Sequence, residues 1–375
     1  MKPLRIALVR QRYTAFGGAE RFVERALQAL TDQNAQLTLV TRRWASAEKR
    51  NTIICAPPYI GSLWRDWAFA RCVCRTLKEQ HFDLVQSHER IACCDIYRAG
   101  DGVHREWLEQ RRRTVGLFAR LSLTLNPYHH YVMAAEQKLF QSSQLKAVIC
   151  NSHMVKDEIL RYFDIPEQKL HVIYSGIDGD IFHPGLRQKY RSDVRNRYGI
   201  PAEAPLFLFV GSGFDRKGLP ALLEAMSQCT PTAHLMVVGK DKKIKAFRAR
   251  ATALGLHGRI HLLGGQDDVK PFYGAADALV LPTLYDPFPN VALEAMATGL
   301  PVVTSTKCGA AEIIEPGISG FVVDALDVRR LSEHMDKLSN PGVSAAMGAA
   351  ARERVQTMTL GAMGQQLARL YQTLV

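Results

Sequence analysis

The chain has 375 residues, 47% of them apolar and 22% charged, with a net charge of +12. That length exceeds what one hydrophobic core usually serves, and the composition excludes a disordered chain. No window approaches the roughly 18 consecutive apolar residues of a membrane span, so the positive charge calls for an anionic partner met at a surface.

In chain order, Ile6–Val9 reads as a buried parallel strand, too short for a signal-peptide core, which makes the cytoplasm the expected address. It runs into a loop with adjacent Gly17 and Gly18, then a helix with Phe22, Val23, Ala26, Leu27 and Leu30 on one face. Paired glycines between strand and helix either let a backbone approach a ligand or make a plain tight turn. Further strands are expected at 36–41, 83–86, 146–150 and 170–174, with helices near 65–79 and 130–141. Asn151 or Ser152 can N-cap another helix running to about Phe163. Residues 104–131 carry five arginines against two glutamates, interleaved with Trp107, Leu117, Phe118 and Leu121. Basic residues among apolar ones suit an anionic bilayer surface, and equally a basic helix packed on the core. Trp107, Arg111, Arg112, Arg113 and Phe118 are the candidate membrane contacts.

After the strand at 170–174 the sequence turns polar and proline-marked through Pro184, and the domain boundary is placed at 177/178. Asp178-Gly-Asp180 reads as a junction turn in preference to a metal site. The pattern then restarts. A strand at 206–210 leads into a glycine-rich loop with Gly213, Arg216, Lys217 and Gly218, then a helix at 221–228. Strands recur at 235–238, 259–263, 278–281, 301–304 and 321–323, and a last helix at about 360–374 has the first domain as an alternative packing surface. Strand–helix alternation in both halves predicts two parallel sheets with ligand sites at their carboxyl ends. A guanidinium beside an ammonium in a glycine-framed loop suits a diphosphate. The eight cysteines form no CxxC pair and read as reduced core thiols, with Cys72-Val-Cys74 a poor ligand pair.

Between 282 and 309, a proline-rich loop enters a helix near Asn290 that stops at Gly299, with Asp286 and Glu294 eight positions apart. Unpaired N–H groups at Asn290, Val291 and Ala292 favour a phosphate, and the carboxylates can accept from sugar hydroxyls. A generic strand–loop–helix unit explains the same residues without a ligand.

Taken together, these motifs resemble the retaining glycosyltransferases of family 4, over nearly the whole chain, and among them the lipopolysaccharide-core sugar transferases of Gram-negative bacteria. The resemblance rests on Gly17-Gly18, Val148–Ser152, Ile173–Asp178, Arg216-Lys217-Gly218 and the Asp286/Glu294 motif. It implies an α/β chain of GT-B architecture, two doubly wound Rossmann-like domains facing across a cleft: an acceptor domain, 1–177, and a nucleotide-sugar domain, 178–375. It places Gly17, Gly18, Arg216 and Lys217 on the donor diphosphate and Glu294 on the ribose. Asp286 falls to the donor sugar, Gly265 and Gln266 to the base, and Asp101, with His104 as alternative, to the anomeric centre. Two departures are that the first carboxylate is an aspartate where glutamate is usual, and that Pro289 replaces a common glycine. The implied reaction moves a hexose or N-acetylhexosamine, with retention, from UDP-glucose or UDP-N-acetylglucosamine to an inner-core heptose, peripherally on the cytoplasmic face of the inner membrane. No metal, cofactor or nucleic acid is expected. The alternatives are a nucleotide-sugar epimerase of like fold and a basic nucleic-acid-binding protein.

Overall fold

The structure, a computed structural model, describes residues 4–13, 35–44 and 51–374. Gly17 and Gly18, and the helix expected after them, lie outside the described residues. Contacts divide the chain into two compact units, one running to Gly176 and resuming at Leu360, the other Ile177–Thr359.

The first unit is built on β1 (Leu4–Tyr13), β2 (Ala35–Trp44), β3 (Thr52–Ile54), β4 (Leu84–Ser87), β5 (Ile96–Arg98), β6 (Ala147–Cys150) and β7 (Leu170–Val172). All pair in parallel, in the order β3-β2-β1-β4-β5-β6-β7. Strands buried on both faces should read as continuous apolar runs, and Ala147–Cys150 and Leu84–Val85 do. The three-residue strands β3 and β5 were not expected. β5 ends in an arginine and is too short to show a period.

Helix α1 (Gly61–Glu79) is the first helix of the described residues. It is followed by α2 (His104–Arg112), α3 (Leu117–Leu125), α4 (Pro127–Phe140) and α5 (His153–Tyr162). Ser152 caps α5, its hydroxyl accepting from the Val155 N–H at 3.2 Å. The expected basic segment 104–131 is thus two short helices and the start of a third.

One cysteine expectation is corrected. Cys74 on α1 and Cys93, in the loop between β4 and β5, form a disulfide with Cα atoms 5.7 Å apart. Nineteen residues separate them in sequence, and only the packing of α1 against this loop brings them together. Cys55, Cys72, Cys94, Cys150, Cys229 and Cys308 are free thiols, all but Cys72 buried. With Cys74 bonded, Cys72-Val-Cys74 offers no ligand pair.

The second unit carries α6 (Gly185–Arg197), β8 (Leu206–Val210), α7 (Leu219–Gln228), β9 (His234–Val238), α8 (Ile244–Ala253), β10 (Ile260–Gly264) and α9 (Lys270–Ala275). Then come β11 (Ala278–Leu281), α10 (Asn290–Ala297), β12 (Val302–Ser305), β13 (Gly320–Val323), α11 (Val328–Leu338) and α12 (Pro341–Val355). Its parallel sheet runs β10-β9-β8-β11-β12-β13. The last helix, α13 (Leu360–Leu374), belongs to the first unit. Its Met363, Leu367, Leu370 and Tyr371 pack on Ile6, Leu84, Ile96 and Ile149 of the first sheet. Asp178-Gly-Asp180 is an Asx turn: Asp178 Oδ1 accepts from the N–H groups of Asp180 (3.1 Å) and Ile181 (3.3 Å).

Candidate active site

In an open parallel sheet, two neighbouring strands whose chains leave in opposite directions open a crevice at their carboxyl ends. In the second unit that point lies between β8 and β11. The loops leaving them, 211–218 and 282–289, carry Arg216, Lys217 and Asp286.

The two loops are tied together by backbone. The Arg216 carbonyl accepts from the Leu284 N–H at 2.8 Å and from the Thr283 hydroxyl at 3.0 Å. Gly218, at φ +82°, opens α7 and sits so close to the second loop that a Cβ would lie 1.8 Å from the Pro282 carbonyl oxygen. No side chain fits there, and this contact sets the distance between the loops. Gly213, at φ +75°, turns the first loop with open space around it.

The side chains then meet. Lys217 Nζ donates to Asp286 Oδ2. Arg216 donates through Nη1 to the same oxygen at 3.3 Å and to the Tyr285 carbonyl at 3.1 Å. Lys217 and Asp286 are both buried, whereas the Arg216 side chain is 39% exposed. Burial acts to raise the Asp286 pKa, but the charges of Lys217 and Arg216 outweigh it and hold the carboxyl below the usual range. The family resemblance assigned Asp286 to the donor sugar and the basic pair to the diphosphate. The fold joins all three in one hydrogen-bonded cluster.

Glu294 lies on α10 and is 5% exposed. Its Oε2 accepts from the hydroxyl of Tyr273, on α9, at 2.8 Å. The expected anion site at the start of α10 is narrowed, because the Ala292 N–H donates to the Pro289 carbonyl at 3.0 Å. Ala292 is therefore withdrawn, and the N–H groups of Asn290 and Val291 remain for an anion. Gly265 follows β10, where a Cβ would lie 2.2 Å from Lys240 Cε, so the absent side chain makes room for that lysine. Gln266 is exposed and donates to the Leu263 carbonyl at 2.8 Å.

In the first unit, the strands that diverge are β1 and β4. Beyond β4, Glu89 accepts from the Gln11 N–H at 2.9 Å, and Arg90 pairs with buried Glu136 at 2.8 Å. Asp101 follows β5, its side chain 62% exposed and 3.7 Å from Arg90. His104 is turned toward α4, with its Nε2 3.0 Å from His129 Nδ1 and its backbone N–H donating to Glu136. Beside this group His88 is buried, its Nε2 3.1 Å from the Gln86 amide, which Tyr371 of α13 also engages. Burial, then Arg98 and Arg10, push the His88 pKa far below the usual histidine range, and burial, Arg90 and His129 push His104 down to about 3.

Both rings are neutral in the folded protein, while the unfolded chain protonates them near 6.5. The unfolded state therefore binds more protons below that pH, and stability falls on acidification by up to about 1.4 kcal/mol per pH unit per histidine. Urea unfolding between pH 7 and 5 should show this slope, and His88→Gln should reduce it by one histidine's share. Equal slopes in both proteins would refute the account.

A doubly wound sheet in each unit is the two-Rossmann-domain arrangement of the GT-B class, and the second unit carries a cation–carboxylate cluster at its divergence point. The chain is a glycosyltransferase: residues 16–180 match Glycosyltransferase Family 4, and residues 191–354 match Glycosyl transferases group 1. It is 27% identical over 371 residues to the lipopolysaccharide glucosyltransferase WaaG of Escherichia coli K12, covering 97% of both chains. The crystal structure of WaaG superposes with a TM-score of 0.83 at 26% identity, over 97% of this chain and 99% of that one. Over 144 residues (38% of this chain, 42% of the relative) it is 32% identical to the lipopolysaccharide core biosynthesis glycosyltransferase LpsE of Rhizobium meliloti.

Proposed function

We propose that the protein transfers a hexose or N-acetylhexosamine from a UDP-sugar to a lipopolysaccharide inner-core heptose, retaining the anomeric configuration. The Lys217–Arg216–Asp286 cluster carries this reading. Breaking the bond between the anomeric carbon and the diphosphate leaves negative charge on the departing oxygens. Lys217, Arg216 and the N–H groups of Asn290 and Val291 supply fixed positive potential for it, so the chemistry needs no metal. Asp286 orients Lys217 before the donor arrives and reaches the donor sugar through its remaining acceptor positions. The departing phosphate takes the proton of the acceptor hydroxyl, and Asp101 positions or stabilises charge at the anomeric centre. The names of WaaG and LpsE support the acceptor class.

The test is a thermal-shift panel of UDP-, GDP- and ADP-sugars, with the best hit assayed on lipopolysaccharide truncated to the inner core. Stabilisation by UDP-glucose or UDP-N-acetylglucosamine and acceptor-dependent UDP release are expected. Epimer formation or donor hydrolysis independent of acceptor would favour the epimerase reading. A salt-sensitive gel shift without nucleotide-sugar binding would favour the nucleic-acid reading.

The second part of the proposal is a peripheral site of action on the cytoplasmic face of the inner membrane. Among the described residues no helix is long and apolar enough to cross a membrane. On α3, however, Leu117, Phe118, Leu121 and Leu125 are 79%, 92%, 57% and 67% exposed. Leu63, Trp64 and Trp67 on α1 add an exposed apolar row that the sequence did not single out. The Tyr128 hydroxyl, on α4 just beyond the end of α3, donates to Asp66 of α1 at 3.0 Å. Arg111 and Arg112 donate to threonine hydroxyls and Arg113 to the Gln110 side chain, keeping basic groups beside the apolar strip. Trp107 is half-buried on α2 and not part of the exposed strip. Apolar anchors beside arginines match an anionic bilayer surface.

A further inference from the structure

We propose that Tyr273 is a positioning residue for the nucleotide ribose, acting through Glu294; this rests on the donor reading above. Tyr273 is fully buried, and its hydroxyl donates to Glu294 Oε2 at 2.8 Å while lying 3.4 Å from the Val291 carbonyl oxygen. One hydroxyl therefore touches both the carboxylate and the first turn of the helix that presents it.

The position of that hydroxyl is itself fixed. The Tyr273 ring meets Phe182 edge-on, with centroids 5.7 Å apart and planes at 87°. The next residue is Gly274, where a Cβ would lie 2.3 Å from the Leu186 carbonyl oxygen, so α9 is pressed directly onto the backbone of α6. The phenol has no freedom to follow Glu294; Glu294 must come to it.

A glutamate has three rotatable bonds, and a carboxylate that is to accept from sugar hydroxyls must present its oxygens in one orientation. A neutral, rigid donor on Oε2 fixes that orientation without cancelling the charge, as a lysine in its place would. The sequence showed nothing of this, because Phe272-Tyr-Gly-Ala-Ala-Asp277 reads as the apolar approach to a buried strand.

A merely structural tyrosine satisfies a buried carboxylate and does no more. The two roles separate when affinities for UDP and for 2′,3′-dideoxy-UDP are measured on wild-type protein and on Tyr273→Phe, which keeps the ring. Wild type is expected to prefer UDP by about 10-fold or more, the discrimination a hydroxyl-binding site achieves when its partner is removed. In Tyr273→Phe the preference should shrink to roughly 3-fold or less, with dideoxy-UDP affinity unchanged. At saturating donor, kcat should hold while KM for the donor rises. In a Glu294→Gln background the second substitution should add little further loss, since both act on one interaction.

Retained UDP preference in Tyr273→Phe, or equal weakening of both nucleotides, would overturn the proposal for Tyr273 alone. A wild-type protein that binds UDP without any preference over the dideoxy analogue would overturn the ribose assignment of Glu294 and this inference with it.

Discussion

Lys217→Ala is expected to lower kcat by roughly 10²- to 10³-fold, the usual effect of deleting one electrostatic contact to charge that develops in a transition state. Lys217 is buried beside the loop glycines, with Gly211 packed on its methylenes, so its ammonium is held in place. Alanine removes that charge and also leaves Asp286 buried with only Arg216, which is more exposed and 3.3 Å away. Part of the loss would then be instability, because an undercompensated buried carboxylate is costly. The double variant Lys217→Ala with Asp286→Asn separates the two effects. It should recover most of the melting temperature and none of the turnover. Near-normal kcat in Lys217→Ala would refute the leaving-group role.

The second large effect is on membrane affinity. Replacing Arg111, Arg112 and Arg113 with glutamine should weaken binding to vesicles containing anionic lipid by about 100-fold, at about 1 kcal/mol per basic residue near such a surface. Phe118→Ser should weaken it further, and on neutral vesicles as well, because a 92% exposed ring contributes by burial in the interface and not by charge. Neither change touches the core, so the melting temperature should hold. Co-sedimentation unchanged by the three arginine substitutions would overturn the membrane reading. If the exposed row on α1 shares the surface, Trp64→Ser should behave as Phe118→Ser does.

The sequence by itself determined the strand inventory wherever a strand is long and buried on both faces. Leu206–Val210 and Ala278–Leu281 were read to the residue, because a parallel strand between two helix layers admits only apolar side chains. It also determined the fold class, since strand–helix alternation with glycine turns has few solutions. Arg216 and Lys217 were singled out too, in the glycine-rich loop after the strand at 206–210, as were Asp286 and Glu294, eight positions apart across a loop–helix junction.

What only the tertiary structure decided is how those residues are joined. Asp286 meets Lys217 across 69 residues because β8 and β11 are neighbours in the sheet, and strand order is not written in local periodicity. The same holds for the Cys74–Cys93 disulfide, for α13 on the first sheet, and for the hydroxyl of Tyr273 on Glu294. Each depends on contacts between segments distant in sequence, and such contacts leave no mark on the pattern of either segment alone.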